Sequence, residues 1–303
     1  MRFRFKPSDE TVEAGFRRIA SETLDDALGL LRDRDLPTAQ IVHRVRRHCK
    51  AMRGLLRIVR PVFPAYQAEN AIFRDVAASL SAARDSVVLV EALDGLIAEA
   101  ETSRRNHPAL EPGAIAAIRG RLAKPASDPA LVDAQLVKAA GILLAARVRA
   151  ANWALVGHGH PALAPGLRKT YRSARRLMAM LDETGEPQLS HEWRKQAEYH
   201  WQHMRLLRTL APDLTRNRVR AAGRLGDLLG EQHDLDLLAH MLEEGVAARA
   251  PDAPTAKCIA DLARHRAARL ARRSAKLGAR LFDQKPSAYI KAWDDIWKHW
   301  PKR

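Results

Sequence analysis

Apolar residues recur three and four positions apart in almost every segment of this chain, the period of an α-helix. The clearest case is Val42–Arg60, VHRVRRHCKAMRGLLRIVR, where Val42, Val45, Cys49, Met52, Leu56 and Val59 form an unbroken apolar stripe. One residue on, His43, Arg46, Lys50, Arg53 and Arg57 form a second stripe, rotated by about 100° because each residue turns one 3.6th of a circle. The helix therefore has a seam to bury and a ladder of cations beside it. Like charges at this spacing repel, and Val42–Arg60 holds no carboxylate. An anion is expected to supply the counter-charge. The plainer reading is a solvated basic face, although such faces usually mix signs.

The same period continues in both directions. Ser8 with Glu10 and Glu13 predicts a helix start, and Val12, Phe16, Ile19, Ala20, Leu24 and Ala27 form the apolar face that follows. Pro37 and Thr38 open the basic helix; Pro61 and Pro64 close it. A helical pattern then runs from Asn70 to about Arg105 with a break near Ala83–Ser86. Short and long helices are expected over Gly113–Ala123 and from Asp128 to about Leu155, the second ending at Gly157-His158-Gly159-His160-Pro161. Gly166–Leu181 carries Arg168, Arg172, Arg175 and Arg176 opposite Leu167, Tyr171, Ala174, Met178 and Leu181. After a turn at Thr184–Pro187, Ser190 is expected to cap a helix with His191, Arg194, Lys195 and Arg205 on one side. Its other side holds Trp193, Ala197, Met204 and Leu207. Val219–Glu244 and Thr255–Phe282 complete the series, the last with Arg269, Arg272, Arg273, Lys276 and Arg280 along one side. Tyr289, Trp293, Trp297 and Trp300 read as core packing near the end. Alternating β-branched runs are absent, so the fold class is all-α.

Two matches point to an internal duplication. His191 lies 148 residues after His43, and Asp234 lies 149 after Asp85; in the second match, Leu229-Gly230-Glu231-Gln232-His233-Asp234 falls over Leu80–Asp85. A repeat of about half the chain predicts halves 1–157 and 158–303. These would be two bundles of roughly four helices each, related by a pseudo-twofold axis, with the two basic ladders facing each other or lining a common groove.

Composition narrows the partner. Among 303 residues, net charge is +16 and the apolar fraction an ordinary 47%, which describes a globular protein with a polyanionic partner. Charge alone does not choose between nucleic acid, a phosphate polymer and an anionic membrane. Cys49 and Cys258 are the only cysteines, which excludes a disulfide framework and a cysteine-based zinc site. The opening MRFRFKPSDE lacks the apolar core of a signal peptide, and no stretch approaches 18 uninterrupted apolar residues. A soluble cytoplasmic protein without membrane association is expected.

Candidate chemistry is sparse. His200 and His203 stand at metal-compatible spacing, without an accompanying carboxylate ladder. His233, Asp234 and Asp236 are similar to the paired ligands of metal-dependent phosphohydrolases, but the matching pair in the first half is Arg84-Asp85, and arginine cannot ligate. The favoured reading of Asp234 is structural. Phosphate-binding glycine loops are absent, as are a nucleophile with its base and a helix-turn-helix. Aromatic residues are only 5%, too few for base-stacking platforms among the cations. Rows of Arg and Lys remain. They suit a flexible phosphate chain, Arg by forked contacts and Lys as a point charge.

Four motifs in order carry a resemblance to a known family: His43-Arg-Val-Arg46…Lys50…Arg53, Gly166-Leu-Arg-Lys-Thr-Tyr-Arg172, His191-Glu-Trp-Arg-Lys195, and Leu225–Asp234. Together they resemble the CHAD family, the conserved histidine α-helical domain, from Phe3 to about Pro286. The resemblance implies two four-helix bundles and a basic channel that binds inorganic polyphosphate, and an association with polyphosphate granules. No triphosphatase-type tunnel domain is visible, which implies a stand-alone, non-catalytic member with no cofactor and no metal. The expected contacts are His43, Arg46, Arg47, Lys50, Arg53 and Arg57, with His191, Arg194, Lys195 and Arg205 as counterparts. Arg168, Lys169, Arg172, Arg175 and Arg176 would form a wall, completed by Arg269 and Arg273. Glu198, Gln196 and Gln202 depart from the family pattern and weaken the second basic helix. The alternatives are a metal-dependent phosphohydrolase built on His233, Asp234 and Asp236, and a generic nucleic-acid-binding protein.

Overall fold

A computed structural model describes residues 3–102, 110–124, 128–246, 252–297 and Trp300. No strand occurs among them, and the protein is all-α. The helices are α1 (Val12–Arg32), α2 (Thr38–Ile58), α3 (Tyr66–Ser79), α4 (Ala82–Thr102), α5 (Pro112–Leu122), α6 (Pro129–Ala150), α7 (Gly159–Thr184), α8 (Pro187–Leu207), α9 (Pro212–Met241) and α10 (Ala253–Leu281). Two short helices, α11 (Pro286–Lys291) and α12 (Asp294–Trp297), follow.

The apolar stripe of α2 is buried as its spacing requires: Val42, Val45, Cys49, Met52, Leu56 and Val59 are each at most 1% exposed. At roughly 1.5–3 kcal/mol for burying each large aliphatic side chain, this stripe anchors the element. It packs among α1, α3, α7 and α8. Very close approaches fix two of those seams. A Cβ on Gly54 would meet Gln202 of α8 at 2.7 Å, and one on Gly166 of α7 would collide with the carbonyl of Ile58. Gln202 is therefore a packing residue, 2% exposed and bonded to Glu198 at 2.9 Å, which accounts for its departure from a basic pattern.

Several helix ends differ from the sequence reading. Thr11, not Ser8, caps α1, its side chain accepting from the Ala14 amide at 2.9 Å. The break between α3 and α4 falls at Leu80–Ser81, where the hydroxyls of Ser79 and Ser81 donate to the carbonyls of Val76 and Ala78. The side chains of Arg84 and Asp85 lie outside the described residues, so their match to His233-Asp234 is untested by contacts. α7 begins at Gly159 and runs through Pro165; burial of Ala162, Leu163 and Ala164 holds the extra turns despite the lost hydrogen bond. α8 begins at Pro187, so Ser190 lies inside it, and Glu186 precedes it without a side-chain cap.

The chain gathers into two compact units, residues 1–81, 129–226 and 277–303 in one, and 82–128 and 227–276 in the other. Each takes residues from both 1–157 and 158–303: in the first, α2 packs against α7 and α8, and in the second, Arg266 and Arg269 pair with Glu99.

In the first unit, Phe16, Phe63 and Trp153 pack together with centroids 5.1–5.3 Å apart, Phe16 stacked on Trp153 and edge-on to Phe63. Tyr171, Tyr289, Phe282 and His200 form a second aromatic cluster. Trp293, Trp297 and Trp300 continue that core as their spacing suggests. Arg149 of α6 grips the buried Glu69 of α3 with two bonds of 2.7 and 3.1 Å. The second unit is laced by charge pairs: Arg119 with Asp94, Arg121 with Asp252, Arg264 with Glu243, and Arg266 with both Glu99 and Glu231.

Candidate anion-binding site

The cation ladder of α2 is half-buried from His43 to Arg57, and its members have different surroundings. Arg46 donates to the Ala77 carbonyl at the end of α3, where a cation also meets the helix dipole. Arg53 bonds Asn70 at 3.3 Å. The Arg57 guanidinium carbon lies over the buried ring of Tyr199 on α8, 3.9 Å from its centroid, with Nε buried and unbonded. Arg47 is exposed and close enough to Arg205 to help depress that guanidinium's pKa, after burial and Arg208.

At the C-terminal end of α2 the cations converge. Gly166 lets the backbone of α7 touch that of Arg57 and Ile58. One turn on, Lys169 comes into the field of Arg60, Arg172 and Arg57. Its ammonium is held below the usual lysine pKa, first by Arg60, then by burial, Arg172 and Arg57. Arg60 rests on the Tyr66 ring at 4.8 Å. No carboxylate among the described residues pairs with Arg57, Arg60, Lys169 or Arg172. The half-charge of the α2 C-terminus offsets only part of four positive charges.

Other expected residues sit elsewhere. Arg168 and Arg176 are exposed on α7, whereas Arg175 donates to the carbonyls of Phe282, Asp283 and Gln284 and ties α7 to the chain after α10. On α8, His191 is exposed, Arg194 is half-buried, and Lys195 is bonded to Glu192 at 2.7 Å. Arg205 lies over Trp201 at 4.5 Å and Phe3 at 5.5 Å and bonds Gln202. Arg269 and Arg273 belong to the second unit, where Arg269 is paired with Glu99 at 2.5 Å. Arg60 and Tyr199 were not among the expected contacts. Arg60 continues the ladder three residues beyond Arg57, so the spacing contained it; nothing in the spacing marked Tyr199 as the ring beneath Arg57.

The histidines with metal-like spacing are core residues. His203 Nε2 lies 3.1 Å from the Gly54 carbonyl, and His200 is enclosed by Tyr171, Phe282 and Tyr289. Burial drives His203 down to about 3 and His200 well below the ordinary value. His233 is exposed, and Asp236 lies 3.7 Å from Arg264, its carboxyl raised mainly by burial. Among the described residues no three His, Cys, Asp or Glu side chains gather as a metal would require. Burial lifts the Cys49 thiol to about 12, so it is a packing group and not a nucleophile.

These features define a class: an all-α protein with a cluster of unneutralised cations where two helices cross. A family model described as "CHAD domain" matches residues 14–243, three quarters of the chain, and the protein belongs to the CHAD family. No curated protein matches the sequence.

Proposed function

We propose that this protein is a non-catalytic binder of inorganic polyphosphate, acting in the cytoplasm on polyphosphate granules. The observation that carries this reading is the group Arg57, Arg60, Lys169 and Arg172, four cations held together against their own repulsion with no carboxylate partner among the described residues. The family link to polyphosphate supports it. A phosphate chain supplies one negative charge per unit without bases to stack, and forked guanidinium contacts match its oxygens. Lys50, Arg53 and Arg168 extend the cationic surface along α2 and α7.

The test is a competition titration. Labelled long-chain polyphosphate is bound to wild type and to a Lys169→Ala/Arg172→Ala variant, then challenged with duplex DNA at equal phosphate concentration. Both positions are exposed, so the variant keeps its fold. Polyphosphate that resists DNA, with affinity reduced at least tenfold in the variant, is the expected result. Equal displacement by DNA and an unchanged variant would show a generic polyanion surface.

A further inference from the structure

α6 buries Val132, Ala139, Leu143, Ala146 and Ala150 against its neighbours in the first unit, and its other face is uncovered. On that face Leu131 is 52% exposed, Val137 75%, Leu144 50% and Val148 64%. An 18-residue window of α6 has a mean hydropathy of 1.4 with 22% of it buried, so by length and composition alone the helix is apolar enough to cross a membrane. The exposed positions Ala130, Ala134, Val137, Gly141, Leu144 and Val148 follow one another at alternating spacings of four and three, the seam of a two-helix coiled coil.

We propose that this face is the seam of a homodimer, with α6 of a second copy lying antiparallel across it. With the twofold axis level with Ala139, three large side chains meet small ones, and Leu131 lies at the rim opposite Arg147: Leu144 of one copy faces Ala134 of the second, Val148 faces Ala130, and Val137 faces Gly141. No atom lies within 4 Å of the Cβ position of Gly141, which leaves a hole for Val137 of the second copy. In the same register Asp133 of one copy stands near Arg147 of the other, a guanidinium already bonded to Asp25 of its own chain at 2.8 Å, so this rim contact adds little to the seam. The two Lys138 flank the axis and set a like-charge cost. A bilayer is the less suitable occupant. Spanning it would break the Arg149–Glu69 grip, and the face has no Trp or Tyr to anchor at an interface.

Size and charge set the strength. A helix of 22 residues is about 33 Å long and 10 Å wide, so this seam alone falls short of the roughly 800 Å² per partner of a standard interface. The dimer is therefore weak and concentration-dependent. Each copy carries +16, and added salt screens that repulsion without weakening the apolar seam.

The experiment is sedimentation equilibrium on polyphosphate-free protein over a wide concentration range at low and high salt. It is paired with a disulfide trap in a Cys258→Ser background. Wild type should self-associate, more strongly at high salt, and Val137→Glu should stay monomeric with unchanged helical circular dichroism. Mixing Val137→Cys with Gly141→Cys copies should give a cross-linked dimer. Mixing Val137→Cys with Val148→Cys should not, because the two cysteines would sit about 10 Å out of register. A monomeric wild type at every concentration and salt, a Val137→Glu variant that associates like wild type, or equal cross-linking of both mixtures would overturn the proposal. So would wild type floating with neutral vesicles, which would assign the face to lipid.

Discussion

At the scale of the residue, burial decides what each titratable group does. His203 is neutral in the core and titrates only near 3, whereas in the unfolded chain it takes up a proton near 6.5. Below 6.5 the unfolded state binds a proton that the folded state refuses, so this contribution is present above 6.5 and is lost as pH falls toward 3. His200 acts in the same direction. Urea denaturation between pH 7 and 5 should show stability falling by on the order of 1 kcal/mol per pH unit for each histidine well below 6.5; His203→Phe should flatten the slope. Lys169 is the opposite case, a cation crowded by cations. A bound polyanion restores its proton affinity, so polyphosphate affinity should fall as pH rises toward the ordinary lysine range, and Lys169→Arg should abolish that fall. Lys169 was legible as a cation in the sequence. Its crowding was not, because Arg60 and Lys169 are far apart in the chain.

At the scale of the element, glycines report where helices touch. Gly166→Ala drives a methyl into the Ile58 carbonyl, backbone that cannot rotate away, and should destabilise by about 2 kcal/mol or more in thermal denaturation. Gly29 of α1 has nothing within 4 Å, and Gly29→Ala should stabilise by about 0.5–1 kcal/mol through helix propensity. The pair is a matched contrast, since both are helical glycines. Period alone located the helices, including the buried stripe of α2 residue by residue, while their ends moved by several positions. Thr11 took the cap from Ser8, and α7 absorbed Pro165, because capping hydroxyls and packing of Leu163 outweigh the local breaker signal.

At the scale of the molecule, two associations should answer salt with opposite signs. Polyphosphate binding releases counterions, so its affinity should fall steeply, with a log–log slope of about −0.7 per phosphate neutralised as for a single strand; removing Lys169 should reduce that slope by roughly one contact. Self-association across α6 should strengthen with salt in the same buffers. The second unit responds differently again. Its arginines are paired with Glu99, Glu231 and Glu243, and Glu99 is held below its ordinary carboxylate value first by its bond from Arg269. Glu99→Gln should therefore cost no more than about 1 kcal/mol, the scale of exposed ion pairs.

The sequence by itself determined the helical class, the apolar faces, the excess of cations and the family motifs, because each is written in residue type and spacing within a single helix. Only the tertiary structure decided which cations lack a carboxylate. Arg175 and Arg269 looked equivalent to Arg57, Lys169 and Arg172 until the fold gave the first two a carbonyl or a glutamate from a distant segment and left the others in one another's field, whereas Lys195 finds Glu192 three residues away on its own helix. It also decided that His200 and His203 fill a core, and that Leu131, Val137, Leu144 and Val148 of α6 are exposed. Charge neutralisation and burial depend on neighbours distant in sequence, and periodicity holds no record of them.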